Sequence, residues 1–318
     1  MRLRALALCG PTASGKSELA SRLAAEIGAE VINADSRQIY AGMHVGTGWP
    51  SDEQFARAPH HGYGTIAAGD RYSAGRFVED ARVTIADVVA RNKLPILVGG
   101  TGLYIEALAG TMPLDRPIAG DELRARVRRE ADVHPHAALR AWLEAIAPDP
   151  AQRISPGDRY RTLRAIEAAL AARENAARGR EHSLASSPEL RSGATASPDL
   201  DLTIVVLDAP RGLLESRIEQ RVRAMFAAGL IEEARAVRAA YGDAPALSGI
   251  GYAEALAYAD GFATRDEAVA AAIRRTRAYA KRQQTWFRRI ASARRLDAFD
   301  AQTPAALREL ARGLALAT

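Results

Sequence analysis

Apolar residues fall into two alternating patterns over the first hundred positions. Leu3 to Leu8 is a short, nearly continuous apolar run ahead of a glycine, the pattern of a strand buried on both faces. Gly15 to Ile27 follows with helical spacing and stops at Gly28, a residue suited to a helix C-terminus. Glu30 to Ala34 reads as a second strand. Ser73 can cap a helix running to about Arg91, and Pro95 to Val98 reads as a third strand that ends at Gly99-Gly100-Thr101. Strands separated by helical crossovers predict a parallel sheet with helices on both faces.

The pattern changes near Pro113. From there to about Arg173 only helical periodicity occurs, over Gly120 to Ala131, Pro135 to Ile146 and Asp158 to Arg173. Residues 174–199 are rich in Ala, Arg and Ser with little apolar order, and predict a mobile loop or linker. A strand returns at Leu202 to Leu207 and closes at Asp208-Ala209-Pro210; the rest reads as helical, including a long basic helix from about Arg265 to Ile290. The expected architecture is an α/β core in residues 1–112 and 200–318, interrupted by an all-helical insertion domain at 113–199.

Composition narrows the setting. A chain of 318 residues, 48% hydrophobic and 25% charged, has the balance of a globular protein with one large domain or two modest ones. The lone cysteine, Cys9, excludes an internal disulfide and fits a reducing cytoplasm, the expected location. The apolar stretch after Met1-Arg2-Leu3-Arg4 is shorter than the roughly 7–15 residues of a signal core. No stretch approaches the roughly 20 apolar residues of a membrane span. Net charge is +5 and the pI about 9.5, a moderate bias toward anionic partners. The distribution says more: Arg274, Arg275, Arg277, Lys281, Arg282, Arg288, Arg289, Arg294 and Arg295 crowd one segment.

Gly10-Pro11-Thr12-Ala13-Ser14-Gly15-Lys16-Ser17 matches G-x-x-x-x-G-K-[ST] between a strand and a helix, the context of a phosphate-binding loop. Its backbone N–H groups can curl around an anion at a helix N-terminus, Lys16 adds a point charge, and the Ser17 hydroxyl can ligate Mg²⁺. The motif does not say which phosphate compound. The third strand ends in Gly-Gly-Thr without a carboxylate; one stands instead at the end of the second strand, as Asp35. There it could ligate a metal, act as a general base, or simply cap a solvated turn.

Taken in order, these residues resemble the bacterial tRNA dimethylallyltransferase family. The phosphate loop at 10–17 carries the likeness, with Asp35-Ser36-Arg37-Gln38-Ile39-Tyr40, Gly42-Met43 and Val45-Gly46-Thr47. Pro59-His60-His61, Tyr72-Ser73-Ala74 with Phe77, and Leu97-Val98-Gly99-Gly100-Thr101-Gly102-Leu103-Tyr104 continue it. Arg217-Ile218-Glu219-Gln220-Arg221, Gly249-Ile250-Gly251-Tyr252 and Lys281-Arg282-Gln283-Gln284-Thr285-Trp286-Phe287 complete it. The resemblance is weakest at 174–199.

This resemblance implies a P-loop NTPase-like fold and transfer of a dimethylallyl group from dimethylallyl diphosphate to N6 of the adenosine 3′ of the tRNA anticodon. Gly10, Pro11, Thr12, Ala13, Ser14, Gly15, Lys16 and Ser17 would hold the diphosphate, with Mg²⁺ at Ser17. Asp35 would accept the N6 proton, while Thr101, Lys16 and Arg221 steady the reacting diphosphate. Contacts with the tRNA anticodon stem-loop are implied for Asp35, Ser36, Arg37, Gln38, Thr101 and Arg124. They are also implied for Tyr160, Arg161, Thr162, Leu163 and Arg164, and for Ser248, Gly249, Ile250, Gly251 and Tyr252. The last group is Lys281, Arg282, Gln283, Gln284, Thr285, Trp286, Phe287 and Arg288. A monomer is expected, without the zinc module of eukaryotic relatives.

Two segments depart from the family pattern: Gly48-Trp49-Pro50 replaces Ala-Lys after Gly-Thr, and Gly62-Tyr63-Gly64-Thr65 replaces an apolar segment with Asp. Three other readings share parts of the pattern. The basic helix and Asp35-Ser36 argue against a small-molecule P-loop kinase, and the insertion with Arg161 and Arg164 argues against prenylation of free AMP. The intact set of Lys16, Ser17, Asp35, Thr101 and Arg221 argues against a non-catalytic RNA-binding module.

Overall fold

The computed structural model describes residues 3–112, 120–182 and 200–316. Six strands, β1 (Leu3–Cys9), β2 (Glu30–Asn33), β3 (His60–His61), β4 (Pro95–Gly99), β5 (Leu200–Asp208) and β6 (Arg294–Asp297), form one sheet in the order β3-β2-β4-β1-β5-β6. Every pairing is parallel. The central strand β1 reads Leu-Arg-Ala-Leu-Ala-Leu-Cys, and Ala5 to Cys9 are wholly buried, as expected of a strand covered on both faces. In register, Cys9 lies between Gly99 of β4 and Val206 of β5, so three strand ends open on one crevice.

The helices are α1 (Lys16–Ile27), α2 (Asp52–Arg57), α3 (Ala74–Ala90), α4 (Gly102–Leu108), α5 (Asp121–Val133), α6 (His136–Ile146) and α7 (Pro148–Arg153). They continue as α8 (Arg159–His182), α9 (Arg211–Ala227), α10 (Leu230–Tyr241), α11 (Tyr252–Ala259), α12 (Arg265–Phe287) and α13 (Thr303–Leu316). Leu6 and Leu8 of β1 share a cluster with Ala20 and Leu23 of α1 and Leu307 and Ala311 of α13. Each such buried leucine contributes roughly 1.5–3 kcal/mol. A second cluster joins Leu214, Ile218 and Phe226 of α9, Leu230 of α10, Tyr252 of α11 and Ala272 of α12 with Ile39, Tyr40 and Met43. Local signals set the boundaries: Ser73 caps α3 by accepting the Arg76 N–H at 3.2 Å, and Thr264 with Glu267 forms a capping box at the start of α12.

The described residues pack as two compact units, one from 3–112 with 200–316 and the other from 120–182. The second unit is helical and has its own core, including Leu123, Val127, Leu139, Leu143 and Ile166. Helix α8 runs on to His182, which corrects the expectation of a loop beginning at 174. Ala, Arg and Glu are good helix formers, so an apolar-poor stretch can simply be a solvated helix. Glu174 faces Arg126 of α5 at 4.0 Å, and Arg173 donates to the Ile146 carbonyl at 3.3 Å. The rest of the expected linker, 183–199, lies outside the described residues. Helix α12 ends at Phe287, and Ile290 follows in a turn. No helix of the described residues is long and apolar enough to cross a membrane.

Candidate active site

The chain leaves β1 at Cys9 and turns into α1 through the phosphate loop. Ala13 and Gly15 take positive φ values of 65° and 85°, a backbone that curls N–H groups inward at the helix N-terminus. Lys16 bends back so that Nζ donates to the Pro11 carbonyl at 3.2 Å. Desolvation in the crevice lowers its pKa to about 8; the Asp35 charge opposes this shift and the Arg221 guanidinium adds to it. The residues that carry these charges come from 19 or more positions apart in sequence, yet they share one electrostatic site.

Asp35 follows β2. Its N–H donates to Asn33 Oδ1 at 2.8 Å, and its Oδ1 accepts the Arg37 N–H at 2.9 Å, an arrangement that fixes the turn and aims the carboxyl group. Asn33 Nδ2 donates to the carbonyls of Asp35 and Gly62 at 3.1 and 2.9 Å, tying the turn to the segment after β3. Thr101, at the end of β4, accepts the Ser36 N–H at 3.0 Å and lies 3.3 Å from the Ser36 hydroxyl. The carboxylate and Thr101 are therefore held as a unit. Burial first, and the Asp35 charge as well, raise the pKa values of Tyr63 and Tyr279, so both phenols stay neutral beside the carboxylate.

Helix α9 supplies two guanidinium groups. Arg217 donates Nε to the Ala13 carbonyl at 3.0 Å and lies over the Phe299 ring at 5.1 Å. Arg221 donates Nη2 to the Thr47 carbonyl at 3.2 Å; desolvation lowers its pKa, and the Asp35 charge raises it. Gln38 Nε2 reaches the same strap of backbone, donating to the carbonyls of Thr47 at 3.3 Å and Gly48 at 2.7 Å. Helix α12 closes the other side. The buried Gln283 accepts the Thr12 N–H at 2.9 Å and donates to the Gly100 carbonyl at 2.8 Å, linking the phosphate loop to the turn that carries Thr101.

The expected RNA-facing residues separate by burial. Lys281, Arg282 and Thr285 of α12 and Arg288 just past its end are exposed, whereas Gln283 and Phe287 face inward and Gln284 Nε2 donates to the Ala209 carbonyl at 3.2 Å. Arg282 also lies over the Tyr279 ring at 5.8 Å. Trp286 is half-buried, its ring packed on Gly102. Ser248 to Tyr252 lie beside Arg37, since a Cβ at Gly249 would stand 3.6 Å from Arg37 Nη1; Ser248 donates to Pro245, and Tyr252 is buried. In the helical unit Tyr160 is 74% exposed, available as a stacking face, while Thr162 is buried and Leu163 packs on the core. Arg161 stands 3.4 Å from Asp158, and Arg164 pairs with the buried Glu167. Arg124 is half-buried on α5.

Sequence reasoning missed Asn33, Tyr63, Tyr279 and Arg217 as parts of this site. For Arg217 the signal was available: Arg217 and Arg221 are four apart and share one face of α9. The two departures noted in sequence meet each other, with the rings of Trp49 and Tyr63 5.6 Å apart, edge to face, and Phe55 and His60 beside them.

Comparison with known proteins matches this geometry to a family. The IPP transferase model matches residues 38–290, and an isopentenyl transferase model matches residues 3–60. The chain is 42% identical over 288 residues to the tRNA dimethylallyltransferase of Anaeromyxobacter dehalogenans (strain 2CP-C), covering 90% of this chain and 92% of that one. It is 41% identical over 283 residues to that of Geobacter sulfurreducens, covering 88% and 87%. The full-length tRNA isopentenylpyrophosphate transferase from Bacillus halodurans is similar in structure, with a TM-score of 0.69 at 31% identity over 99% of this chain and 97% of that one. A eukaryotic dimethylallyltransferase acting on tRNA shares the fold, with a TM-score of 0.75 at 23% identity over 96% and 77%. With the matched model spanning most of the sequence and these relatives aligned nearly end to end, the chain belongs to the IPP transferase family, that of the tRNA dimethylallyltransferases.

Proposed function

We propose that this protein transfers a dimethylallyl group from dimethylallyl diphosphate to N6 of the adenosine adjoining the 3′ side of the anticodon in tRNA. The observation that carries the reading is the convergence of Lys16, Asp35, Thr101 and Arg221 on the crevice at the strand ends. In the proposed reaction N6 attacks C1 of the allylic group and the C1–O bond breaks. Diphosphate leaves with the bonding electrons, and the N6 proton passes to the Asp35 carboxylate. An exocyclic adenine amine is a weak nucleophile, so a fixed carboxylate contributes to its activation. Lys16, Arg221 and the N–H groups of the phosphate loop meet the charge growing on the leaving group.

The donor set suits Mg²⁺. Among the described residues no group of three or more His, Cys, Asp and Glu side chains could hold a metal ion. A hydroxyl such as that of Ser17, completed by diphosphate oxygens and water, is the kind of site this ion accepts. When bound there it would neutralise part of the diphosphate charge.

The acceptor base must leave its stack to reach Asp35. The exposed Lys281, Arg282 and Arg288 suit contacts to RNA phosphates; taken by itself, the helical unit offers the exposed Tyr160 and Arg161. We infer that a single chain suffices. The test is nucleoside mass spectrometry after incubation with dimethylallyl diphosphate and either tRNA or AMP. Prenylated adenosine should form in tRNA; product from AMP alone would overturn the assignment of the acceptor.

A further inference from the structure

Outside the reaction crevice, α10 carries a carboxylate with an unusual set of donors. Glu233 Oε2 accepts the backbone N–H groups of His44 and Val45, each at 2.8 Å. Its Oε1 accepts the Gly46 N–H at 3.0 Å and the Tyr252 hydroxyl at 2.6 Å. Three consecutive backbone donors converging on one anion fix the path of that backbone as an anion-binding concavity does, with the anion built into the protein. Gly46 permits the close approach: a Cβ there would stand 2.5 Å from the Tyr252 ring and 2.7 Å from Leu230 Cδ1.

The next two residues along this strap hold the catalytic side. The Thr47 carbonyl accepts from Arg221 at 3.2 Å, and the carbonyls of Thr47 and Gly48 accept from Gln38, three residues beyond Asp35. Gly48 also lies flush on the Arg221 guanidinium, since a Cβ there would fall 1.6 Å from Nη2. The strap is therefore the surface against which Arg221 is placed, and Glu233 is what anchors the strap to α10.

We propose that Glu233 is a positioning residue for prenyl transfer, acting through the 44–48 strap to set the Arg221 guanidinium relative to the diphosphate. The proposal rests on the reading of Arg221 as a diphosphate contact. Glu233→Gln replaces one acceptor oxygen by an NH₂ group among backbone donors and loosens the strap without replacing any side chain of the crevice. It should lower kcat/KM for dimethylallyl diphosphate by about 10–100-fold, the range expected for a displaced charge-assisted contact. The affinity for tRNA should stay within about threefold, because the strap carries none of the exposed cations of α12.

A double-mutant cycle with Arg221→Ala separates positioning from general loosening of the fold. If Glu233 acts through Arg221, adding Glu233→Gln to Arg221→Ala should cost less than about twofold more. Multiplicative losses would overturn the proposal. Should Glu233→Gln not fold, Tyr252→Phe removes one donor and keeps the ring, and the same cycle applies with a smaller first loss. Full activity of Arg221→Ala alone would remove the diphosphate reading of Arg221, whereas an unchanged Glu233→Gln enzyme beside an impaired Arg221→Ala would remove only the strap proposal.

Discussion

Affinity for dimethylallyl diphosphate should depend on pH through Lys16. In the ligand-free protein desolvation brings this ammonium to a pKa of about 8, with Arg221 adding to the shift and Asp35 opposing it. At pH 7 the group is about nine-tenths charged, and at pH 9 only about one-tenth. A bound diphosphate places negative charge against Nζ and raises its pKa, so binding above pH 8 requires uptake of a proton. Kd should be nearly flat from pH 6.5 to 7.5 and then rise by up to about tenfold per pH unit until the pKa of the bound state is reached. The neighbouring Cys9 thiol stays out of this window, since burial pushes it up to about 12. For folding the sign is reversed. Lys16 binds fewer protons folded than unfolded between about 8 and 10.5, so its contribution to stability rises with pH across that interval. Isothermal titration at several pH values, in two buffers of different ionisation heat, reads both affinity and proton uptake. Lys16→Met should bind weakly and without this pH dependence. Flat wild-type affinity from pH 7.5 to 9.5, with no proton taken up, would refute the reasoning.

Two further outcomes follow from particular contacts. Gln283→Ala strands the Thr12 N–H and the Gly100 carbonyl, each at a cost of about 1–3 kcal/mol; calorimetry should show a lower Tm and titration a weaker diphosphate affinity, while unchanged values of both would show that the link is idle. In the helical unit, Arg161→Ala should reduce the log–log salt slope of tRNA binding by about 0.7–0.9, whereas Arg164→Ala should chiefly lower stability, because it leaves the buried Glu167 unpaired; equal effects on RNA binding and none on stability would contradict this division.

The sequence made the inner sheet legible because β1, β2, β4 and β5 are apolar runs between glycine, Asp or Pro signals. The edges were not. Strand β3 is the pair His60–His61 and β6 reads Arg-Arg-Leu-Asp, so both join the sheet by backbone pairing with no buried alternation to mark them. The same limit applied to the site. Lys16 was readable from the phosphate-loop motif that leads from β1 into α1, and Asp35 from its place just past β2, while Glu233 and Gln283 act on backbone groups far away in sequence, 187 and 183 positions for Gly46 and Gly100. A lone acidic or amide residue on a helix carries no local sign of such a partner. The Ala- and Arg-rich stretch after Arg173 misled for the opposite reason, since a solvated helix and a polar linker share a composition.

The central claim is that Asp35 takes the proton as the prenyl group moves to the adenosine. It is tested most directly by single-turnover prenylation of tRNA, comparing the wild type with Asp35→Ala when both substrates are shown to be bound. The account predicts a rate lower by about 10²–10⁴-fold with the fold and both affinities retained, the loss expected on removing a general base. A correctly folded Asp35→Ala protein that prenylates bound tRNA at a rate near that of the wild type would contradict it.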